Sequence, residues 1–224
     1  MTVLNKTALV FGSTGLIGTE LLELLLGSVS YRYVKIFVRK KLDIEHTKLQ
    51  QFVIDFNDMS AVKDDITGDD VFICLGTTMA KAGGKEAFYR VDYTYSYEAA
   101  RVASANQVSQ IILISSMGAD PASMVYYSKV KGKLEQDISQ LPFKSVLILR
   151  PSLLLGDRKE TRLGEQIFTW ISKNLSFIFN GPLRKYRPIH ASSVAKAMLY
   201  YSQKQDPGFY VFESAALQAV VTPS

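Results

Sequence analysis

One cysteine, two histidines and one tryptophan are all that the chain holds of those residue types. A single cysteine excludes an internal disulfide framework and suits a reducing compartment. The histidines, His46 and His190, lie far apart in sequence, so no metal-ligand spacing exists. No apolar run approaches the ~18 residues that a membrane helix needs. The N-terminus also lacks the charged, apolar and small-residue order of a signal peptide. A soluble, cytoplasmic protein without a membrane span is therefore expected. Charge is short of one-sidedness too: 26 Lys and Arg stand against 21 Asp and Glu, a net charge of +5. Nucleic-acid binders gather basic residues on one face, and the densest cluster here is only Arg39-Lys40-Lys41. A small anionic ligand, not nucleic acid, is the expected beneficiary. Repeats, low-complexity tracts and linkers are missing as well. Residues 1–224 thus read as a single domain, with 151–224 contributing a small cap on the substrate side, in a monomer or homodimer.

What is present is a rhythm of short apolar runs: Thr7 to Phe11, Val34 to Val38, Gln51 to Asp55, Val71 to Leu75, Gln110 to Ser115 and Ser145 to Arg150. Near-continuous Val, Ile and Leu, without polar alternation, is what a parallel sheet covered on both faces requires. Helical periods fill the gaps. Phe88, Val91, Tyr95, Ala99 and Val102 make one apolar stripe, with Arg90, Asp92, Glu98 and Arg101 off it. Tyr127, Val130, Lys131, Leu134 and Ile138 repeat the pattern. Alternating strands and helices predict an α/β fold, an open, doubly wound parallel sheet. Ala191 to Ser202 reads as a further helix and Tyr210 to Phe212 as a late strand.

The first strand runs directly into Gly12-Ser13-Thr14-Gly15-Leu16-Ile17-Gly18 and then a helical segment. Glycines permit a tight turn and close approach of backbone to a pyrophosphate, and the helix start offers unpaired N–H groups. Strand, glycine loop and helix in this order predict a dinucleotide site. The second strand ends in Arg39-Lys40, and no carboxylate follows until Asp43. An NAD site places an acidic residue there for the ribose hydroxyl, whereas a cation suits a 2′-phosphate. NADP, with NADPH preferred over NADH, is the expected cofactor. Asp55 is a candidate acceptor for the adenine amino group, its alternative being a loop carboxylate. Leu75, Gly76 and Thr77, at the end of the fourth strand, complete the expected cofactor-binding set on that side.

The fifth strand ends in Ser115-Ser116, and Tyr127-Ser-Lys-Val-Lys131 follows. A Tyr and a Lys four apart share one helix face. A free phenol titrates near 10, so acid-base work at neutral pH needs a cation beside it, which Lys131 supplies. A serine hydroxyl at the strand end can orient a substrate carbonyl next to that phenol. Tyr126 is excluded as the partner because its fourth neighbour is Val130. Cys74 reads as a small buried hydrophobe.

Taken together, GSTGLIG, ISSMGAD, YYSKVKGKLE and ILRPSLLLG resemble the atypical or extended short-chain dehydrogenase/reductases. LRPSLLLGDRKETRLGE and KYRPIHASSVAKAM are more specifically similar to the Tat-interacting-protein oxidoreductase-like, NmrA-like group. The resemblance implies a Rossmann core and Ser116, Tyr127 and Lys131 in the family's Ser-Tyr-Lys roles. It also implies that Lys131 contacts the nicotinamide ribose and that Pro151 borders the nicotinamide. Two departures stand out. Val91-Asp92 occupies a place where many relatives carry an Asn that supports a proton relay. Ser115 and Ser116 are adjacent, so only one is expected to face substrate, and the family pattern favours Ser116. The expected activity is reduction of a small-molecule carbonyl compound with NADPH. The alternatives are a nucleotide-sensing regulatory protein without turnover and a protein-interaction factor on the same fold. Residues 157–180 are expected to form a mobile cap over the nicotinamide, with Arg158 or Arg162 meeting an anionic or polar substrate group; the alternative is a surface ion-pair network.

Overall fold

The computed structural model describes residues 5–155, 187–204 and 206–221. In chain order the strands are β1 (Lys6–Phe11), β2 (Tyr31–Val38), β3 (Leu49–Val53), β4 (Asp70–Ile73), β5 (Gln110–Ile114), β6 (Ser145–Arg150), β7 (Leu154–Leu155), β8 (Ile189–His190) and β9 (Gly208–Glu213). Seven of them form one sheet in the order β3-β2-β1-β4-β5-β6-β9, and every neighbouring pair is parallel. The short β7 and β8 pair with each other apart from that sheet. The expected doubly wound, Rossmann-type α/β fold is what the chain adopts. Expected strands agree in place and differ by a few residues at their ends. Residues 157–180 of the expected cap, with Arg158 and Arg162, lie outside the described residues.

The run-like strand sequences have a direct physical cause, because successive side chains of one strand enter two different cores. Ala8 and Val10 of β1 face the layer built by α1 (Leu16–Gly27) and the helix Ala191–Ser202, where Leu21, Leu25, Val194 and Met198 are fully buried. Leu9 and Phe11 face the opposite layer, with Ala99, Ala103, Leu134 and Ile138. Those four come from α4 (Ser96–Ala105) and α5 (Tyr126–Ser139). Two short helices, α2 (Met79–Ala82) and α3 (Lys85–Tyr89), precede α4. Each fully buried Leu or Ile contributes about 1.5–3 kcal/mol, so both faces must be covered for the sheet to persist.

One expectation about the second layer is corrected. Asp92 is not on the solvent side of its helix but is 1% exposed. The cause is a π-helical segment, Arg90–Tyr95, between α3 and α4. Its wider turn carries the buried face through Phe88, Asp92 and Ser96 at four-residue spacing. A constant 3.6-residue period would instead have kept Val91 and Tyr95 inward; both are only half-buried.

β1 and β4 are neighbours in the sheet, yet the chain leaves them toward opposite sides. Strand order therefore reverses between them, and open α/β sheets bind ligands in the crevice at such a point, beyond the strand carboxyl ends. Register aligns Phe11 with Ile73, Ile73 with Leu113, and Ile114 with Leu149. The segments that leave β1, β4, β5 and β6 consequently emerge along one edge.

Candidate cofactor and active site

At that edge Gly12 adopts φ +87°, in the left-handed region that favours glycine. A Cβ there would stand 2.6 Å from the carbonyl carbon of Cys74, so the loop lies directly against the end of β4. Gly18 is under tighter constraint: its Cβ would come 2.0 Å from the carbonyl oxygen of Gly12. Gly15 closes the turn by donating its amide to that same oxygen at 3.0 Å. It also occupies the cap position of α1, which has no side-chain cap. The first-turn amides of α1 thus have no side-chain acceptor, and such amides are a ready anion site. Ser13 adds a buried hydroxyl without a protein partner. A cradle of glycines that a Cβ would obstruct, an uncapped helix start and an orphaned hydroxyl fit a dinucleotide pyrophosphate. Thr14, Leu16 and Ile17 complete the same loop and first turn, Ile17 packing into the core beneath.

Arg39 and Lys40 leave the carboxyl end of β2, exposed and without a partner among the described residues. Asp55 follows β3, where its Oδ1 accepts from both the backbone amide and the side chain of Asn57, at 2.9 and 2.8 Å. One carboxylate oxygen is thereby committed to a local turn.

Beyond β4, Leu75 packs against the α4–α5 layer, while Gly76 and Thr77 meet a buried ion pair. Lys131 Nζ is 2.8 Å from Asp92 Oδ1, and the two side chains are 4% and 1% exposed. Oδ1 is charge-paired without an aligned hydrogen bond, while Oδ2 accepts the Thr77 amide at 2.8 Å. A Cβ on Gly76 would lie 3.4 Å from Asp92 Oδ1 and 3.7 Å from Lys131 Nζ, so the strand end runs over the pair. Removing one partner of a buried pair costs about 3–5 kcal/mol, because the other charge is left alone. In the sequence Asp92 reads as a residue off the apolar stripe and as a departure from the relay Asn, not as part of the site.

Tyr127 lies in the first turn of α5, one turn before Lys131. It is 36% exposed, with its ring 5.5 Å from that of Phe88. Tyr126 packs on the same Phe88 ring, at 6.1 Å, and donates its hydroxyl to the Lys85 carbonyl at 3.2 Å. Ser115 and Ser116 both carry buried hydroxyls without a protein partner. Ser115 still belongs to the ladder, donating its amide to Leu149 O at 2.8 Å. The loop after Ser116 rests on α5, where Asp120 N donates to Ser128 O at 3.1 Å. Gly132 permits that contact, a feature whose signal in the sequence is a glycine in mid-helix. Pro151 is buried at the end of β6 and accepts the Met117 amide at 3.0 Å, tying β6 to the serine loop. Cys74 is half-buried, with its sulfur 3.9 Å from that of Met198, and burial of the thiol pushes it up to about 12. Among the described residues no group of His, Cys, Asp and Glu could hold a metal ion, and no helix is long and apolar enough to cross a membrane.

A family model described as NAD(P)H-binding matches residues 12–169, beginning at the first glycine of the cradle. The chain belongs to the NAD(P)H-binding family. Its similarity to Protein FMP52, mitochondrial, of Candida albicans is 34% identity over 201 residues, or 87% of each chain. Protein HTATIP2 of Rattus norvegicus is 36% identical over 173 residues, covering 75% of this chain and 69% of that one. The resemblance stated from the motifs is borne out by these relatives. Among solved structures, MoeE5 in complex with UDP-glucose and NAD superposes with a TM-score of 0.70 at 17% identity, covering 96% of this chain and 82% of that chain. A UDP-N-acetylglucosamine 4-epimerase from Methanobrevibacter ruminantium gives 0.68 at 16%, covering 93% and 76%. At such identities these two establish the fold.

The relatives also correct one expectation. Several carry mitochondrial in their names, which overturns the cytoplasmic assignment. The physical reason is that a low cysteine count excludes disulfides but does not separate one reducing compartment from another.

Proposed function

We propose that this member of the NAD(P)H-binding family is an NADPH-dependent reductase of a carbonyl compound, working through Ser116, Tyr127 and Lys131. The observation that carries the reading is the convergence on one sheet edge of the glycine cradle, the buried Lys131 ammonium and the orphaned serine hydroxyls. The loop 12–18 would hold the pyrophosphate, Arg39 and Lys40 the 2′-phosphate, and Asp55 the adenine amino group. Leu75, Gly76, Thr77 and Pro151 would border the nicotinamide half.

A bound nicotinamide supplies the hydride for the carbonyl carbon. The chain's part is the proton and the orientation. Ser116 would donate a hydrogen bond to the carbonyl oxygen, and Tyr127 would give its phenolic proton to that oxygen. Lys131, one turn away, would stabilise the phenolate left behind and would hold the nicotinamide ribose. Carbonyl, hydride and proton together balance as an alcohol.

The test is Tyr127→Phe, which keeps the ring and deletes the proton donor. Positioned acid-base groups contribute about 10²–10⁴-fold, so NADPH binding should persist while turnover falls by that range. Undiminished turnover would remove Tyr127 from the role. Absence of turnover in the wild type across a broad carbonyl panel, with NADPH bound, would favour the nucleotide sensor.

A further inference from the structure

Asp92 has no role in the reading above, yet it is among the least exposed charged side chains of the described residues and touches two parts of the site at once. Its Oδ1 faces Lys131 Nζ at 2.8 Å, and its Oδ2 accepts the Thr77 amide at 2.8 Å. One carboxylate therefore joins α5, which bears Tyr127, to the strand end that borders the nicotinamide half. Its delivery depends on a local irregularity, since Asp92 lies within the π-helical segment Arg90–Tyr95. Such segments within α-helices recur at functional sites. A buried charge is costly unless paired and hydrogen-bonded, and here both oxygens are spent on the site and none on the core.

We propose that Asp92 is a positioning residue that acts through Lys131, holding its ammonium under Gly76 while tethering Thr77, so that the helix and the cofactor-side loop stay in fixed relation. An amide could accept from Thr77 equally well but could not anchor an ammonium by charge. The carboxylate thus has a task that the Asn of a proton relay does not. The proposal rests on the Ser-Tyr-Lys reading for its effect on turnover, but the tether itself is independent of turnover.

The experiment compares wild type, Asp92→Asn, Lys131→Met and the double variant, each first checked by thermal melting. With a turned-over carbonyl substrate, Asp92→Asn is expected to lower kcat at least tenfold and to move KM and the NADPH Kd less than twofold. The double variant is expected to be no slower than Lys131→Met alone. Additive losses would overturn action through Lys131. A second readout needs no turnover: acylation of Lys131 by an amine-directed reagent, mapped by mass spectrometry, should be at least tenfold faster in Asp92→Asn than in wild type. Equal rates would overturn the anchoring even if the protein proves to be a sensor, whereas faster acylation without any wild-type turnover would refute the reductase reading and leave the tether standing. If the variants do not fold, hydrogen exchange of wild type decides. The Thr77 amide should exchange at least a hundredfold more slowly than the amide of Gly76, an exposed residue, and comparable rates would overturn the tether.

Discussion

A Cβ placed on Gly132 would stand 2.2 Å from the carbonyl carbon of Asp120 and 2.3 Å from the nitrogen of Pro121. The loop that follows Ser116 thus leans on the backbone of α5 immediately beside Lys131, and only a missing side chain allows it. In an ordinary helix interior, Gly costs about 1 kcal/mol relative to Ala. Here the sign should reverse. Overpacking typically costs about 1–3 kcal/mol, and the obstacle is backbone that cannot rotate away. Gly132→Ala is expected to lower the urea-unfolding free energy by about that amount and to displace residues 117–121. An unchanged midpoint would mean that the loop yields freely.

The cradle makes a sharper demand. With Gly12 O only 2.0 Å from a Cβ on residue 18, Gly18→Ala must push the first turn of α1 away from the loop. NADPH affinity should fall at least tenfold, measured by quenching of nicotinamide fluorescence, as the amides of that turn leave their common direction. Retained affinity would show that the loop is not where the pyrophosphate binds.

Cofactor choice tests the end of β2. A charge-assisted phosphate contact of about 1.5–3 kcal/mol corresponds to roughly ten- to a hundredfold in affinity. NADPH should therefore bind more tightly than NADH by that factor, and Arg39→Ala should remove most of the difference. Equal constants for both cofactors in the wild type would end the argument for a 2′-phosphate site.

Burial pushes the Cys74 thiol up to about 12, from an ordinary 9.0. A raised folded value means that the native state holds its proton more tightly than the unfolded chain does. The associated stability is complete below pH 9 and is lost as pH rises toward 12. Cys74→Ala should remove this part of the alkaline decline, seen as a smaller drop in melting temperature between pH 9 and 10.5 than in wild type. Native-state alkylation of Cys74 should also keep rising with pH past 9, where an ordinary thiol levels off. A plateau near pH 9 would show the sulfur to be solvated.

Read alone, the sequence determined the layered architecture, because strands buried on two faces need apolar residues on both, and β1, β4, β5 and β6 carry unbroken apolar runs behind their polar first residues. It also determined the placement of the glycine cradle and of Tyr127 and Lys131, since these are local: a strand-to-helix turn, and a spacing of one helical turn. What only the tertiary structure decided is nonlocal. The partner of Lys131 comes from a helix 39 positions earlier in the chain, and Asp92 turns inward because a π-helical segment breaks the 3.6-residue period that placed it outside. Gly132 shows the same limit, its lack of a side chain gaining meaning only when the Asp120 backbone arrives against it. Periodicity reports which face of one element is apolar; it carries no information about which second element approaches, or how closely.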